Sequence, residues 1–450
     1  MKVLIIETTP ATPHAETALE IAVKENISGS KVVYCPIFHL LPQLIWKSNI
    51  NGRNSTGKVD SIADWLTYLT RMVSPYAEVD LFSLESTPDY LNESIRQNIF
   101  NFSYDFQPFG TLVKSNAIEI FRTVDLNFIL DNHRNICESL AQTAIIAYEL
   151  SLLLIRKHQP NLVYLFNGRT AASFPIFLAC QKLGIKTLVH ERGYSIDTYS
   201  LWETPPQYID VVRSGMNKFS MGRSSYEARM SAAIFYYRQR NGKINNLGII
   251  NSQDHNLEIR IQGCHERFAV YFPTSSYELL CMPGQDCSNA LGPQDVAIAT
   301  LIRVCNEENM QLIIKMHPNT PKSEQAAYDK FADGEKCIVI PPESSISSYN
   351  LGASAFRNFS YGSTITWEFL YSGIQCAVLA YTVGRDEEGV IELSNAESIR
   401  QYLRNPLPPA DPSFSIKYAD FINSFGERYD FYRAETLFSG VFDVTLSPAK

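Results

Sequence analysis

Short apolar runs alternate with stretches of helical periodicity along most of the chain. The first run, Lys2–Ile6, is followed by a helical pattern from about Glu16 to Lys24 and by a second run at Lys31–Tyr34. Buried parallel strands are continuous apolar runs, and each needs a crossover, usually a helix, before the next strand. The pattern therefore predicts parallel βαβ units and an α/β fold.

The predicted elements form two series, separated by an Asn- and Gly-rich stretch from Gly242 to Gly263 that we interpret as a linker. The first series continues with helices at Asp60–Met72, Leu140–Lys157 and Ala171–Leu183 and with strands at Asn161–Phe166 and Thr187–His190. The second series has strands at Phe268–Phe272, Leu312–Met316, Cys337–Ile340, Ala355–Asn358 and Ala377–Leu379, and helices at Pro293–Glu308 and Lys322–Phe331. A Pro-rich loop at 406–409 precedes one or two expected terminal helices.

These two series predict two Rossmann-like, doubly wound domains that face each other across a cleft. We place the first domain at residues 1–245 and the second at 265–430, with a terminal segment at 431–450. A chain of 450 residues is long enough for two such cores. The longest apolar helical pattern, about Leu140 to Ile155, is shorter than the ~20 residues that a membrane span needs, so we expect no transmembrane segment.

Charge and cysteine content narrow the class of protein. The formal net charge is −8, and no dense run of Lys and Arg is present, which argues against nucleic acid as a partner. The nine cysteines are an odd number without a CxxC pair, a usage typical of reduced thiols in a cytoplasmic protein. No Asp-x-Asp triplet suggests a bound divalent metal, so we expect neither a metal nor a cofactor.

Candidate chemistry in the second series begins at the end of the strand Leu312–Met316. Lys315 and His317 lie two residues apart and therefore face the same side, just before Pro318 ends the strand. A Lys and a hydrogen-bonding His together can stabilise a phosphate leaving group. The structural alternative is a solvated Lys beside a His that caps a loop.

Two further strand ends of the second series carry hydroxyl groups. Gly362-Ser363-Thr364 lies before a helix expected to start at Thr364 or Ile365, and Glu368 in its first turns could accept both ribose hydroxyls. Ser275 and Ser276 follow the first strand of this series and could line the same pocket. The structural alternative for the first segment is helix capping by Ser363, with Glu368 interacting favourably with the helix dipole. The alternative for Ser275 and Ser276 is a Ser-rich turn.

Polar groups also follow three strands of the first series. They are His14 after the first strand, Arg169 in Asn167-Gly168-Arg169, and Glu191 and Arg192 in Glu191-Arg192-Gly193. Glu191 is the first candidate for a general base on an acceptor hydroxyl, and His14 is the second. Arg169 and Arg192 are candidates for binding the acceptor, although either could instead pair with Glu191 as a structural ion pair.

These residues resemble the motifs of GT-B glycosyltransferases, especially the group that synthesises bacterial capsule and surface polysaccharides. The similar segments are Ile340-Pro341-Pro342-Glu343, Ser348-Tyr349-Asn350-Leu351, Tyr361-Gly362-Ser363-Thr364, Glu368 and Tyr371-Ser372-Gly373. His317-Pro318 is similar to a His-Pro motif shared with bacterial sialyltransferases and teichoic-acid polymerases. The usual Asp after the Ser-Tyr-x-Leu segment is replaced, since Ala353, Ser354 and Ala355 stand there.

The resemblance implies a GT-B fold and a metal-independent glycosyltransferase. It implies a cytidine or uridine nucleotide-sugar donor on the second domain, bound by Ser275, Ser276, Lys315, His317, Ser348, Gly362, Ser363, Thr364 and Glu368. It also implies a glycan acceptor on the first domain and allows peripheral association with a membrane. The alternatives are a polyol-phosphate transferase with a CDP-polyol donor, a sugar-nucleotide epimerase that uses His14 and Glu191, and a non-catalytic protein that binds nucleotide or glycan.

Overall fold

The computed structural model describes residues 1–43, 52–54, 57–59, 61–83, 88–241, 263–280, 282–285, 291–318 and 320–445. The strands are β1 (Lys2–Glu7), β2 (Lys31–Pro36), β3 (Gly52–Asn54), β4 (Gly57–Val59), β5 (Glu78–Val79), β6 (Leu162–Phe166), β7 (Lys186–Arg192), β8 (Thr198–Trp202), β9 (Phe268–Phe272), β10 (Gln311–Lys315), β11 (Cys337–Ile340), β12 (Arg357–Ser360), β13 (Ala377–Val378), β14 (Ile391–Glu392), β15 (Glu427–Arg428), β16 (Tyr432–Thr436) and β17 (Ser439–Phe442). The helices are α1 (His14–Ile27), α2 (Ile62–Val73), α3 (Glu93–Gln97), α4 (Phe109–Phe121), α5 (Leu126–His158), α6 (Phe174–Leu183), α7 (Ile209–Ser220), α8 (Ser225–Arg240), α9 (Ser276–Leu280), α10 (Gln294–Glu307), α11 (Lys322–Asp329), α12 (Ser348–Ser354), α13 (Ile365–Tyr371), α14 (Ala396–Arg404) and α15 (Ser413–Ser424).

The first sheet has seven strands in the order β15-β8-β7-β6-β1-β2-β5. Strands β7, β6, β1, β2 and β5 run parallel to one another. At one edge, β8 pairs antiparallel with β7, and β15 pairs antiparallel with β8. Every residue of β6 is buried, as are the last five of β1 and of β2, which accounts for their continuous apolar sequences. The parallel order brings the carboxyl ends of β1, β6 and β7 to one rim.

The second sheet is wholly parallel, in the order β11-β10-β9-β12-β13-β14. Both of its faces are covered. Ala269 and Tyr271 of β9 belong to one core cluster, with residues of α10 and α14, while Phe268, Val270 and Phe272 belong to another, with residues of α12 and α13. Alternating side chains enter opposite cores, as a doubly wound sheet requires. The fold is therefore GT-B: two Rossmann-like α/β units facing each other across a cleft.

Several elements differ from the sequence-based expectation. Helix α5 starts at Leu126 rather than near Leu140, because the Asp125 side chain accepts from the Phe128 N–H at 3.0 Å and caps a first half whose apolar run, Phe128–Leu130, is short. The elements without a predicted counterpart before α15 are β3–β5, β8, β14, α3, α4, α7–α9, α12 and α14. After the Pro-rich loop the chain forms one helix, α15, in agreement with the one or two expected, and then the unpredicted strands β15 to β17. The predicted linker, apart from Gly263, lies outside the described residues.

Among the described helices, α5 is the one long and apolar enough to cross a membrane by length and mean hydropathy alone. In the fold, 72% of that apolar window is buried, and α5 packs against α4 and α6. This helix belongs to the core of the first domain.

Helix α15 joins the two halves. It packs against α7 and α8 of the first series and against α13 of the second. Met216 of α7, Trp367 of α13 and Phe421 of α15 share one apolar cluster. The chain then returns to the first sheet, where β15 pairs with β8. The predicted boundary between residues 430 and 431 falls within this return.

Two carboxyl groups are buried beneath the first sheet's rim. Glu7 is 1% exposed and Glu16 is fully buried. Glu7 Oε1 accepts from the Thr9 N–H at 2.6 Å, and Glu16 Oε1 accepts from the Thr12 hydroxyl at 3.1 Å. Burial raises the pKa of Glu7 to about 8 and that of Glu16 to about 7. Both groups are therefore protonated in the folded state at slightly acid pH.

The raised pKa of Glu7 predicts a pH-dependent stability. Because the folded state holds this proton more tightly than the unfolded state, its contribution to stability is greatest below the unfolded pKa and falls as pH rises towards 8. We expect Glu7→Gln to flatten the decline in Tm between slightly acid and slightly alkaline pH. Thermal unfolding across that range measures it, with the exposed Glu203→Gln as the control. Equal slopes in Glu7→Gln and the parent would contradict the prediction.

Candidate functional site

The carboxyl ends of β6 and β7 and the loop before α1 open into a cavity of about 1080 Å³. His14, Asn167, Arg169, Glu191 and Arg192 line it from the first domain. Tyr277 and Glu278 of α9 line it from the second domain, and Phe421 and Ile422 of α15 also contribute. The cavity thus lies between the domains, and all four residues that the sequence predicted for the acceptor side are brought together in it.

Glu191 is held by three donors. Its Oε2 accepts from Asn167 Nδ2 at 2.6 Å and from Gln207 Nε2 at 3.0 Å, and its Oε1 accepts from the Arg192 backbone N–H at 3.0 Å. Burial raises the pKa of Glu191, against the opposing effects of the Arg192 N–H, the Asn167 amide and the charges of Arg169 and Arg192. The result is a positioned carboxylate with increased basicity.

His14 starts α1 and stacks on Phe166, with ring centroids 4.1 Å apart. Burial lowers its pKa well below the usual value, and the positive charge of Arg192 and the nearby His190 lower it further. The imidazole is therefore neutral at neutral pH, which is the form that accepts a proton. His14 and Glu191 line the same cavity and remain the two candidates for a base.

Arg169 pairs with Glu119 rather than with Glu191. Its Nη2 lies 2.7 Å from Glu119 Oε1, and its Nη1 binds the other carboxylate oxygen. Fork geometry of this kind fixes the guanidinium at the cavity wall. Arg122 and Arg192 also line the cavity and add positive charge to the same wall.

A second, smaller cavity lies at the carboxyl ends of β9 and β10. The sequence-predicted residues that line it are Lys315, His317, Ser348, Ser363, Thr364 and Glu368. Its volume is about 110 Å³, below the ~300–1000 Å³ of whole-ligand sites. It can therefore hold one part of a larger ligand, with the remainder extending into the cleft.

Glu368 is engaged by an aromatic hydroxyl. The Tyr349 hydroxyl donates to Glu368 Oε2, and the guanidinium of Arg240 lies 5.7 Å from the Tyr349 ring centroid. Burial raises the pKa of Glu368 to about 7, and the Tyr349 hydrogen bond opposes that rise. Ser363 makes no cap here, because the N-cap residue of α13 is Thr364, without a side-chain cap bond.

Lys315, which is buried, and His317, which is half-buried, both line this cavity. Lys315 Nζ donates to the carbonyl of Pro341 at 3.0 Å, and burial lowers its pKa to about 8. Burial also lowers the pKa of His317, although the charge of Glu278 opposes this. His317 Nδ1 lies 3.4 Å from the hydroxyl of Ser275, which is fully buried behind it.

Two other residues predicted from sequence lie beside the small cavity. Ser276 starts α9, and its backbone N–H donates to Glu324 Oε2 at 3.4 Å. Gly362 has a φ of +80°, a left-handed conformation that favours glycine, and immediately precedes Ser363.

A hydrogen bond connects the two cavities. Gln239 of α8 lines the smaller one, and its Nε2 donates to the Tyr194 hydroxyl at 3.1 Å. Tyr194 lines the larger one. Glu278 lines the larger cavity while its charge acts on His317 of the smaller one. The two cavities are adjoining parts of one interdomain cleft.

Sequence reasoning did not assign roles to Glu119, Arg122, Tyr194, Gln239, Glu278 and Tyr349. Tyr349 directly follows Ser348, and Glu278 lies two residues after Ser276. The sequence therefore indicated the correct segments but not the contribution of these two side chains. Gln239 and Glu119 come from helices far along the chain, and no local pattern connects them to the site.

Among the described residues, one group of side chains has metal-binding donors close together: Cys35, Asp80 and His158. Asp80 Oδ2 already lies 2.6 Å from His158 Nε2 and 2.7 Å from Lys157 Nζ, so its carboxylate is neutralised by two cations when the His is protonated. None of the three lines either cavity of the cleft.

Comparison with known proteins gives structural neighbours only. No protein-family model matches the sequence, and no curated protein is significantly similar to it. The β-Kdo 2,4-transferase KpsC of Thermosulfurimonas dismutans is 12% identical, with a TM-score of 0.40, over 58% of this chain and 79% of its own. UDP-GlcNAc 2-epimerase of Methanocaldococcus jannaschii is 12% identical, with a TM-score of 0.33, over 94% and 98%. The Neisseria meningitidis enzyme of that name is 13% identical, with a TM-score of 0.31, over 93% and 98%.

The Tyr349–Glu368 contact predicts a measurable pKa change. Tyr349→Phe removes the hydroxyl donor that favours the ionised carboxylate, so the pKa of Glu368 should rise from about 7. A hydrogen bond to a charged group corresponds to an increase of about one to two pH units. Carboxyl ¹³C NMR titration measures it, and Tyr381→Phe, which removes a hydroxyl bonded to Asp210, is the control. An unchanged midpoint in Tyr349→Phe would show that this hydroxyl does not control Glu368.

Proposed function

We propose that this protein is a metal-independent glycosyltransferase that moves a sugar from a cytidine or uridine nucleotide-sugar to a glycan acceptor in surface polysaccharide synthesis. One observation supports this above the others. Groups suited to a nucleotide and groups suited to activating a hydroxyl line opposite sides of one interdomain cleft. Ligands of doubly wound domains bind at such strand ends.

The donor is proposed to bind the second domain. Glu368, partly ionised near neutral pH, accepts hydrogen bonds from ribose hydroxyls at the small cavity. Ser363 and Thr364 lie beside it and offer hydroxyls to the nucleotide. Lys315 and His317 stabilise the phosphate oxygen that leaves the sugar. A nucleotide that starts in the small cavity then directs its sugar into the larger one.

The acceptor is proposed to bind the first domain, beside Arg169 and Arg192. Its hydroxyl oxygen attacks the anomeric carbon of the donor sugar, and Glu191 takes the hydroxyl proton. The bond between the anomeric carbon and the phosphate oxygen breaks, and the nucleotide leaves with that electron pair. Glu191 suits this step because its carboxylate is positioned by three donors and made more basic by burial.

A second candidate is a hydrolysing sugar-nucleotide epimerase. It is favoured by the meeting of two acid–base groups, His14 and Glu191, in one cavity.

Product analysis after incubation with cytidine and uridine nucleotide-sugars and glycan acceptors separates the functions. Sugar transfer supports the proposal, and an epimerised sugar supports the second candidate. Transfer of polyol phosphate from a CDP-polyol would identify a polyol-phosphate transferase. Nucleotide binding without turnover would identify a non-catalytic binding protein.

The donor assignment predicts selective nucleotide stabilisation. In thermal-shift measurements with CMP, CDP, UDP, GDP and dTDP, a cytidine or uridine nucleotide should stabilise the parent most, by about 2.7 kcal/mol at 100 times its Kd. Glu368→Gln should weaken binding by roughly 1.5–3 kcal/mol, and a 2′-deoxy nucleotide should lose less on this variant than on the parent. His317→Ala should also weaken binding. The exposed Glu397→Gln is a matched control, and unchanged affinity in both site variants would place the nucleotide elsewhere.

The base assignment predicts a separation of turnover from donor affinity. Glu191→Gln should keep nucleotide affinity but lower kcat by about 10²–10⁴-fold, the usual effect of losing a general base. Gln can retain the hydrogen bond from the Arg192 N–H, so the fold should persist. His14→Ala, on the same cavity, is the comparison. A large loss of turnover in His14→Ala with a mild one in Glu191→Gln would assign the base to the histidine.

A further inference from the structure

The outward face of α8 is apolar and exposed. Tyr226, Met230, Ile234 and Tyr237 are 74, 48, 44 and 60% exposed. Their i, i+4, i+8 and i+11 spacing places them on one side of the helix. A surface helix with a packed core-facing side normally carries polar residues on the other side, so this face requires an explanation.

The inward face of α8 is already occupied. Ser231, Ala232, Phe235, Tyr236 and Gln239 are buried, and the helix packs against α15. The Tyr236 hydroxyl donates to the Ser415 carbonyl at 2.8 Å, which fixes the rotation of the helix. The apolar outward face is therefore a defined surface of the folded protein.

Positive charge flanks this face. Arg229 and Arg238 are exposed, and within the described part of the chain neither forms a salt bridge. Helix α8 itself carries Arg229, Arg238 and Arg240 and one acidic residue, Glu227, a local charge of +2 in a protein of net charge −8. Positive charge concentrated around an exposed apolar stripe is typical of helices that lie at a membrane interface.

We propose that the outward face of α8 binds the surface of an anionic lipid bilayer. The apolar side chains would enter the headgroup boundary, and Arg229 and Arg238 would pair with lipid phosphates. An acidic protein needs such a local basic surface to approach an anionic bilayer.

The position of α8 relates this surface to the cleft. Gln239, near the end of the helix and on its inward side, lines the small cavity. Lipid attachment would therefore bring the cleft close to the membrane surface. The inference does not depend on the proposed function, since vesicle binding requires neither donor nor acceptor.

The test is co-sedimentation of the full chain with vesicles of phosphatidylcholine alone or with about 30% phosphatidylglycerol. The parent should bind the anionic vesicles and lose binding at high salt. Met230→Ser/Ile234→Ser should lower the partition coefficient at least ~10-fold. Arg229→Glu/Arg238→Glu should lower it by at least about fivefold per charge. Ile27→Ser and Lys186→Glu, exposed residues on other elements, are matched controls that should bind as the parent does.

Three results would overturn the proposal: no binding of the parent to anionic vesicles, equal binding by the parent and both α8 variants, or a dimer in sedimentation velocity that Met230→Ser/Ile234→Ser dissociates. The last would assign the face to a second copy. Circular dichroism and nucleotide binding verify that the variants fold. A protein that binds vesicles but no nucleotide would contradict the proposed function alone.

Discussion

A single buried carboxylate joins sequence positions that are about four hundred residues apart. Glu20 of α1 is fully buried, and its oxygens accept from the backbone N–H groups of Asp430 at 2.7 Å, Phe431 at 2.9 Å and Tyr432 at 3.1 Å. Lys24 adds an ion pair at 3.3 Å. These bonds anchor the returning chain on the first domain. They hold in place the segment that directly follows α15, and α15 forms part of the cleft wall.

Burial shifts the pKa of ionisable groups in the cleft in the direction that disfavours the charged form. It raises the pKa of Glu191 and Glu368 and lowers that of His14, Lys315 and His317. A phosphate would favour the protonated forms of Lys315 and His317, and an approaching hydroxyl would meet carboxylates of increased basicity.

The two larger sheets were predictable because their central strands are continuous apolar runs, whereas the small sheet β16-β17-β3-β4 was not predicted. Eight strands were placed within a few residues by that signal alone: β1, β2, β6, β7, β9, β10, β11 and β13. β12 was shifted, since Ala355 and Phe356 continue the apolar pattern before Arg357 begins the strand. α8 was missed because its buried positions are interrupted by exposed aromatic and basic residues such as Tyr226, Arg229 and Tyr237. β8 and α7 were missed because they bury few residues and so lack a continuous apolar run. The return of the chain was unpredictable, as it depends on Glu20, which appears as an ordinary acidic residue in a helical pattern.

At the site, local signals located strand ends but not their partners. Lys315, His317 and Glu368 do meet at one cavity, as the strand-end argument anticipated. The pairing of Arg169 with Glu119 was not foreseen, because α4 carries no motif and approaches only through tertiary packing. Ser275 behind His317 illustrates the same limit: sequence places a hydroxyl at the strand end, while packing decides which neighbour it touches.

The return of the chain also orders events during synthesis. A ribosome delivers α1 and most of the first sheet long before residues 427–442, and domains generally fold as they emerge. Until those last residues appear, the edge strand β8 has no neighbour in β15, and Glu20 lacks its three backbone donors. The first domain is therefore synthesised first but completed last. Its edge strand β8 gains its neighbour β15 only after the second domain has been made.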